Sequence, residues 1–130
     1  MGADPTEIVR HFLARWAIST DEIYASLRDT LAPDAVWENI GLSRTVGPEE
    51  AVAAYRAFGP MAIAHHIDVD LLAIAASGST VLTERCETVV AADGAVIIVV
   101  RTMGSFEIAN GKIAAWRDYF DTAPFLPPAG

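Results

Sequence analysis

The chain reads as one α+β domain over residues 1–130, with three N-terminal helices laid on the concave face of a curved sheet of antiparallel or mixed strands. Three observations point there. Apolar residues at helical spacing, with capping residues ahead of them, fill the first half. From Ala64 onward the pattern changes to long β-favouring runs punctuated by Ser77-Gly78-Ser79, Ala92-Asp93-Gly94 and Asn110-Gly111. No linker, repeat or low-complexity segment separates the two halves. Helices in one block and a strand meander in the other pack as two layers. A curved sheet leaves a pocket between its concave face and the helices.

Each element has a local reason. Thr6 is placed to cap a first helix that carries Ile8, Val9, Phe12, Leu13 and Trp16 on one face. Ser19 or Thr20 caps a second, with Asp21 and Glu22 in the first turn, where the helix dipole favours anions. Its apolar face holds Ile23, Tyr24, Leu27 and Leu31, and Pro33 ends it. Asp34–Ile40 reads as a short strand or extended turn. Gly47-Pro48-Glu49-Glu50 opens a third helix with proline at its first position. That helix carries Ala51, Val52, Ala54, Tyr55 and Phe58, and Gly59-Pro60 stops it. Four strands follow, at His65–Ala75, Val81–Ala91, Ala95–Ile108 and Lys112–Asp121. Short turns between them require antiparallel pairing, and Asn110-Gly111 is a two-residue hairpin signal.

Composition narrows the partners. Of 130 residues, 52% are apolar, and 17 acidic against nine basic side chains give a net charge of −8. That charge disfavours nucleic-acid backbones and anionic membrane surfaces, both of which need Lys/Arg clusters. The single cysteine, Cys86, cannot form an internal disulfide. The opening MGADPTEIVR shows no signal-peptide pattern, and the longest apolar stretch, Ala95–Val100, is too short to span a bilayer. The expectation is a soluble cytoplasmic domain with a greasy interior.

Polar residues at interior-facing positions carry the functional information. Side chains alternate along a strand, so Thr83, Arg85, Glu87 and Val89 share one face of the second strand. On the fourth, Ala114, Trp116, Asp118 and Phe120 share a face opposite Ile113, Ala115, Arg117 and Tyr119. If Trp116 and Phe120 point to the helices, Asp118 goes with them, and Arg85, Glu87 and Asp118 can meet across the sheet. Alternation does not say which face is concave, so an exposed ion-pair network of the same three residues stays open at this point.

The run Leu82-Thr-Glu-Arg-Cys-Glu87, followed by Gly111-Lys-Ile-Ala-Ala-Trp-Arg-Asp-Tyr-Phe-Asp121, resembles the limonene-1,2-epoxide hydrolases. Trp37-Glu-Asn-Ile-Gly41 and Gly47 fall where that family has an aromatic-x-Asn segment before a helix. The resemblance extends from about the second helix to Phe125, and Trp116–Asp121 is its most specific part. It implies the cone-shaped α+β fold of the wider nuclear-transport-factor-like group, which also holds polyketide cyclases, ketosteroid isomerases and binding modules. It further implies a carboxylate–arginine–carboxylate site that opens an epoxide in one step without a cofactor. On that resemblance Asp118 is the base that activates water, Arg85 bridges, Glu87 protonates the epoxide oxygen, Asn39 holds the water, and Trp37 stands where the family has a water-binding Tyr. Glu87 stands where the family has an Asp.

The chemistry is sound on its own terms. Opening an epoxide takes a nucleophile on carbon and a proton on the departing oxygen. Two carboxyls sharing one guanidinium in an apolar pocket do not both ionise, so one stays an acid and the other a base. Arginine keeps its proton, and its fork can hold both partners. Two departures stand out. Glu87 is one methylene longer than Asp, and Trp37 offers only an N–H donor.

Lining follows from alternation. With Phe106 and Ile108 inward, Ile98, Val100, Thr102 and Gly104 point inward too. Phe125 is placed to close the mouth, and Phe12, Leu13, Trp16 and Phe58 contribute from the helices, with Trp116 from the fourth strand. Such a wall fits a lipophilic epoxide or related small molecule. The outer face, with Ile97, Val99, Ile113, Ala115 and Tyr119, is apolar enough to predict a homodimer. His66, Asp68 and Asp70 share a strand face, but no second cluster completes a coordination sphere, so they read as a solvated strand edge and no metal is expected. Cys86 alternates away from Arg85 and reads as a packing thiol. Three functions therefore compete: epoxide hydrolase, proton-transferring isomerase or cyclase, and lipophile-binding module.

Overall fold

The computed structural model describes residues 4–126. Helix α1 (Pro5–Ala14) is capped by Asp4, whose carboxylate accepts from the Thr6 N–H, so the cap lies two residues ahead of the expected Thr6. Pro5 occupies the first helical position, where its missing N–H costs nothing. A single 3₁₀ turn, Arg15–Ala17, carries Trp16 inward. Helix α2 (Thr20–Thr30) is capped by Ser19, which accepts from the Glu22 N–H. Pro33 does not mark its end, because the chain is already extended: strand β1 spans Leu31–Asn39, and Pro33 sits within it at an irregular stretch between Leu31 and Val36.

Strand β2 (Ser43–Val46) pairs back on β1 through a tight turn, an element the sequence pattern did not reveal. Helix α3 (Pro48–Ala57) follows Gly47, and a 3₁₀ segment, Gly59–Ile63, leads into the sheet. Gly47 has φ +84°, and a β-carbon there would lie 2.9 Å from the Pro33 carbonyl oxygen, so both backbone and space require glycine. Strands β3 (Ala64–Ser77), β4 (Thr80–Ala91), β5 (Val96–Ala109) and β6 (Lys112–Phe120) form the meander within a residue or two of expectation.

The sheet order is β2-β1-β6-β5-β4-β3. All neighbours are antiparallel except β1 and β6, which run parallel, so the sheet is mixed. Irregularities in four of the five strand pairings bend the sheet around the helices. The result is an open half-cone with α1–α3 in its concavity. Among the described residues no helix is long and apolar enough to cross a membrane.

The narrow end is filled rather than hollow. Phe12 lies edge-on to Trp16 and Trp116, with ring centroids 5.3 and 5.2 Å away, and Phe106 stacks on Trp116 at 5.5 Å. One expectation fails here. Ile113 is fully buried, not on the outer face, because the register slips between Glu107 and Ile108. Ile113 therefore pairs with Ile108, and both Ile113 and Trp116 turn inward.

Candidate active site

Arg85 is completely buried, and its guanidinium uses three nitrogens on three partners. Nε donates to Glu87 Oε2 at 2.8 Å, Nη2 to Asp118 Oδ2 at 2.9 Å, and Nη1 to Thr83 Oγ1 at 2.8 Å. Alternation on β4 puts Thr83, Arg85 and Glu87 on the concave face. Antiparallel pairing through β5 then brings in Asp118, opposite Gly104 in register. Arg85 and Asp118 thus meet in the interior, and the exposed-network alternative is overturned.

Gly104 makes the meeting possible. A β-carbon at that position would lie 2.3 Å from Arg85 Nη1, 2.6 Å from Asp118 Oδ1 and 3.0 Å from Thr83 Oγ1. The guanidinium passes through the space that any other residue would fill. The Arg85 guanidinium carbon also lies 5.6 Å from the centre of the Phe106 ring, a cation–π distance.

The two carboxyls are not equivalent. Burial pushes both above the ordinary carboxylate range, and Arg85 pulls both down. Asp118 has an additional donor: the Trp116 indole N–H reaches its Oδ1 at 2.9 Å. Glu87 has no such donor and feels the charge of Asp118, which raises it further. For Arg85, burial works against the charge, and Asp118 and Glu87 together outweigh it, holding the guanidinium above its usual value.

Asn39 and Trp37 stand beside this cluster. Parallel pairing of β1 and β6 sets Trp37 opposite Trp116 and Asn39 opposite Asp118. The two indoles stack at 4.6 Å and 11°. Asn39 Nδ2 donates to Ser43 Oγ at 3.1 Å, which leaves its amide oxygen free to accept. Trp37 Nε1 is buried and has no hydrogen-bond partner among the described residues.

Trp37, Asn39, Glu87, Trp116 and Asp118 face one cavity, and Arg85 and Thr83 do not line it. Trp16, Trp37, Asn39, Glu87, Val100, Thr102, Trp116, Asp118 and Phe125 line it, as do Phe58 and Phe120. Phe125, in a short 3₁₀ turn (Ala123–Phe125), packs at the mouth against Phe58 and Phe120. Several residues expected to line it do not reach it. Phe12 is wedged among the aromatics of the narrow end, and Ile98 packs against the core beside a separate groove with Pro124. Leu13, Phe106 and Ile108 are likewise core rather than lining.

Ile23, Leu27 and Ile67 line the cavity without having been singled out. So does Tyr55, whose place on the apolar face of α3 read simply as core. The signal for Ile67 was the alternation on β3; for the helix residues it was facial periodicity alone. His66 lies 3.5 Å from Asp68 on the edge strand β3. Among the described residues no group of three or more His, Cys, Asp or Glu side chains is placed to hold a metal ion. Cys86 is half-buried on the face away from Arg85.

The profile of the limonene-1,2-epoxide hydrolase catalytic domain matches residues 3–127. Epoxide hydrolase EphG of Mycobacterium tuberculosis is 32% identical over 101 residues, 78% of this chain, and the chain spans 64% of that relative's length. A solved M. tuberculosis LEH-like epoxide hydrolase superposes with a TM-score of 0.73 at 28% identity, covering 93% of this chain and 85% of its own. A SnoaL-like protein from Jannaschia sp. CCS1 gives a TM-score of 0.72 at 19% identity, covering 95% and 93%, and shares the fold. The chain belongs to the limonene-1,2-epoxide hydrolase catalytic-domain family.

Proposed function

We propose that the protein hydrolyses a lipophilic epoxide to a vicinal diol by direct attack of water, with no cofactor. One observation carries the reading: a fully buried arginine holds two carboxyls at once, and both carboxyls open onto a largely apolar cavity. One positive charge facing two potential negatives favours retention of one proton. Asp118 has two donors where Glu87 has one, so the proton rests on Glu87. Asp118 is then the base and Glu87 the acid.

The nucleophile is a water molecule held by three groups. Asp118 and the Asn39 amide oxygen accept its two protons, and the unpartnered Trp37 N–H donates to its oxygen. Trp37 thereby takes on the donor half of what a phenol would do. Water forms the bond to a ring carbon as the ring C–O bond breaks. Asp118 gains the water proton, Glu87 gives its proton to the departing oxygen, and exchange with solvent restores the pair. The longer Glu87 side chain reaches back to Arg85 from two residues along the same strand. Arg85 stays charged throughout and keeps both partners aimed. The acidic group is needed protonated, so turnover falls as pH rises through the raised value of Glu87.

The same proton links to stability. Glu87 binds it more tightly folded than unfolded, so its contribution is full below the ordinary 4.5 and is lost as pH rises through the raised value. Asp118 is also raised by burial, so its contribution has the same sign. Glu87→Gln keeps a neutral Arg85–Asp118 pair. It is expected to flatten the decline of stability with pH in denaturation series, and to lower kcat by about 10²–10⁴-fold. An unchanged slope contradicts the placement of the proton.

Product analysis separates the three competing functions. Aliphatic and terpene epoxides should yield diols. A rearranged product without added water supports proton-transfer isomerisation on the same cone, and tight retention with no product supports a binding module.

We also propose a homodimer through the outer sheet face. Leu82, Val99, Met103 and Tyr119 are each about half exposed there, on three adjacent strands. Ile97 is half-buried against the core and contributes less. Sedimentation at micromolar concentration should give twice the chain mass, and Val99→Glu with Met103→Glu should return it to one.

A further inference from the structure

The roof of the cavity holds a polar group that the proposed chemistry has not used. Tyr55 projects from α3, is only 5% exposed, and lines the cavity together with Glu87, Asn39 and Asp118. Its hydroxyl is buried and has no hydrogen-bond partner among the described residues. The ring is not free to swing away, because it packs edge-on against Tyr24 at 5.7 Å while Ala51 and Val52 seat the same helix face in the core. A buried hydroxyl without a partner is costly, because its lost hydration is not replaced. Phenylalanine would fill the same space without that cost. Trp37 Nε1 is the other unpartnered polar atom on the cavity wall among the described residues, and it lies on the sheet side, on the strand position paired with Trp116. Tyr55 faces the same cavity from the helix side that Glu87 faces from the sheet side.

We infer that Tyr55 donates a hydrogen bond to the oxygen of the molecule bound in the cavity, the same oxygen that Glu87 protonates. This deepens the hydrolase reading and rests on it for the identity of that oxygen. The cavity would then grip an epoxide from two sides. The carboxylic acid delivers the proton, and the phenol stabilises the oxygen as negative charge develops on it. Burial pushes the Tyr55 phenol above its ordinary value, so it keeps its own proton and acts as a donor only. The bound molecule supplies the partner that the hydroxyl lacks in its absence.

Tyr55→Phe tests this with two readouts. Removing an unpartnered hydroxyl should leave the melting temperature unchanged or higher. The first readout is binding of cyclohexanone against methylenecyclohexane, which differ only in an oxygen for a CH₂. Wild type should prefer the ketone, and the variant should lose about tenfold of that preference, the scale of one hydrogen bond. The second is epoxide turnover, where loss of one oxyanion donor is expected to lower kcat by about 10²-fold. A wild-type chain without ketone preference, or a variant with preference unchanged, overturns the inference. If wild type opens no epoxide, the hydrolase reading fails separately, and the ketone comparison still decides whether Tyr55 is a donor to the bound oxygen.

Discussion

Asp118→Asn is expected to lower kcat/KM for epoxide opening by about 10²–10⁴-fold while the protein stays folded. The loss has two parts that act together. The amide cannot take the water proton. It also removes the negative charge that, beside the larger effect of burial, raises Glu87, so Glu87 ionises more readily against Arg85 and is a poorer proton donor. Stability survives because the buried cluster remains neutral. In wild type it holds Arg85 positive, Asp118 negative and Glu87 protonated; in the variant, Arg85 positive and Glu87 negative. The Trp116 indole can still donate to the Asn carbonyl oxygen at the position of Oδ1. Steady-state kinetics with circular dichroism checks both halves. Wild-type rates in a folded variant would remove Asp118 from the reaction.

Gly104→Ala should damage fold and activity at once. The added methyl would overlap Arg85 Nη1 at 2.3 Å and Asp118 Oδ1 at 2.6 Å. Both atoms belong to flexible side chains, yet neither has room to retreat, since the guanidinium is bound on three nitrogens and fully buried. Overpacking of this kind costs about 1–3 kcal/mol. Loosening a buried ion pair adds to that, because the freed charges find no water. Turnover should fall by about 10²-fold at temperatures where the variant is folded, the cost of a displacement of about 1 Å. Urea denaturation and kinetics on the same preparation measure the two effects. A variant of wild-type stability and rate would mean that the Arg85 geometry is not what positions the carboxyls.

Much of this was legible in the sequence, and the limits have physical causes. Alternation alone grouped Thr83, Arg85 and Glu87, and it grouped Trp116 with Asp118. It could not tell which face is concave, because that depends on how the whole sheet bends. It misplaced Ile113, because a single irregularity between Glu107 and Ile108 turns the side chains that follow. The closeness of Asn39 to Asp118 rests on parallel pairing between the first and last long strands, a contact no local pattern encodes. Phe12 and Ile98 fall on the predicted faces, yet Phe12 is wedged among the core aromatics and Ile98 packs against the core outside the cavity. Tyr55 was read as an apolar helix residue, since periodicity counts its ring and not its hydroxyl. The role of Gly104 is a matter of empty space, which a sequence does not display.

The most direct test of the mechanism is a single turnover in ¹⁸O-water, with enzyme in excess over an epoxide substrate. Direct attack by the water beside Asp118 predicts a diol carrying one ¹⁸O atom from the first turnover. An unlabelled diol, its new oxygen taken from a protein carboxylate, would mean that Asp118 or Glu87 attacks carbon covalently, and would contradict the account.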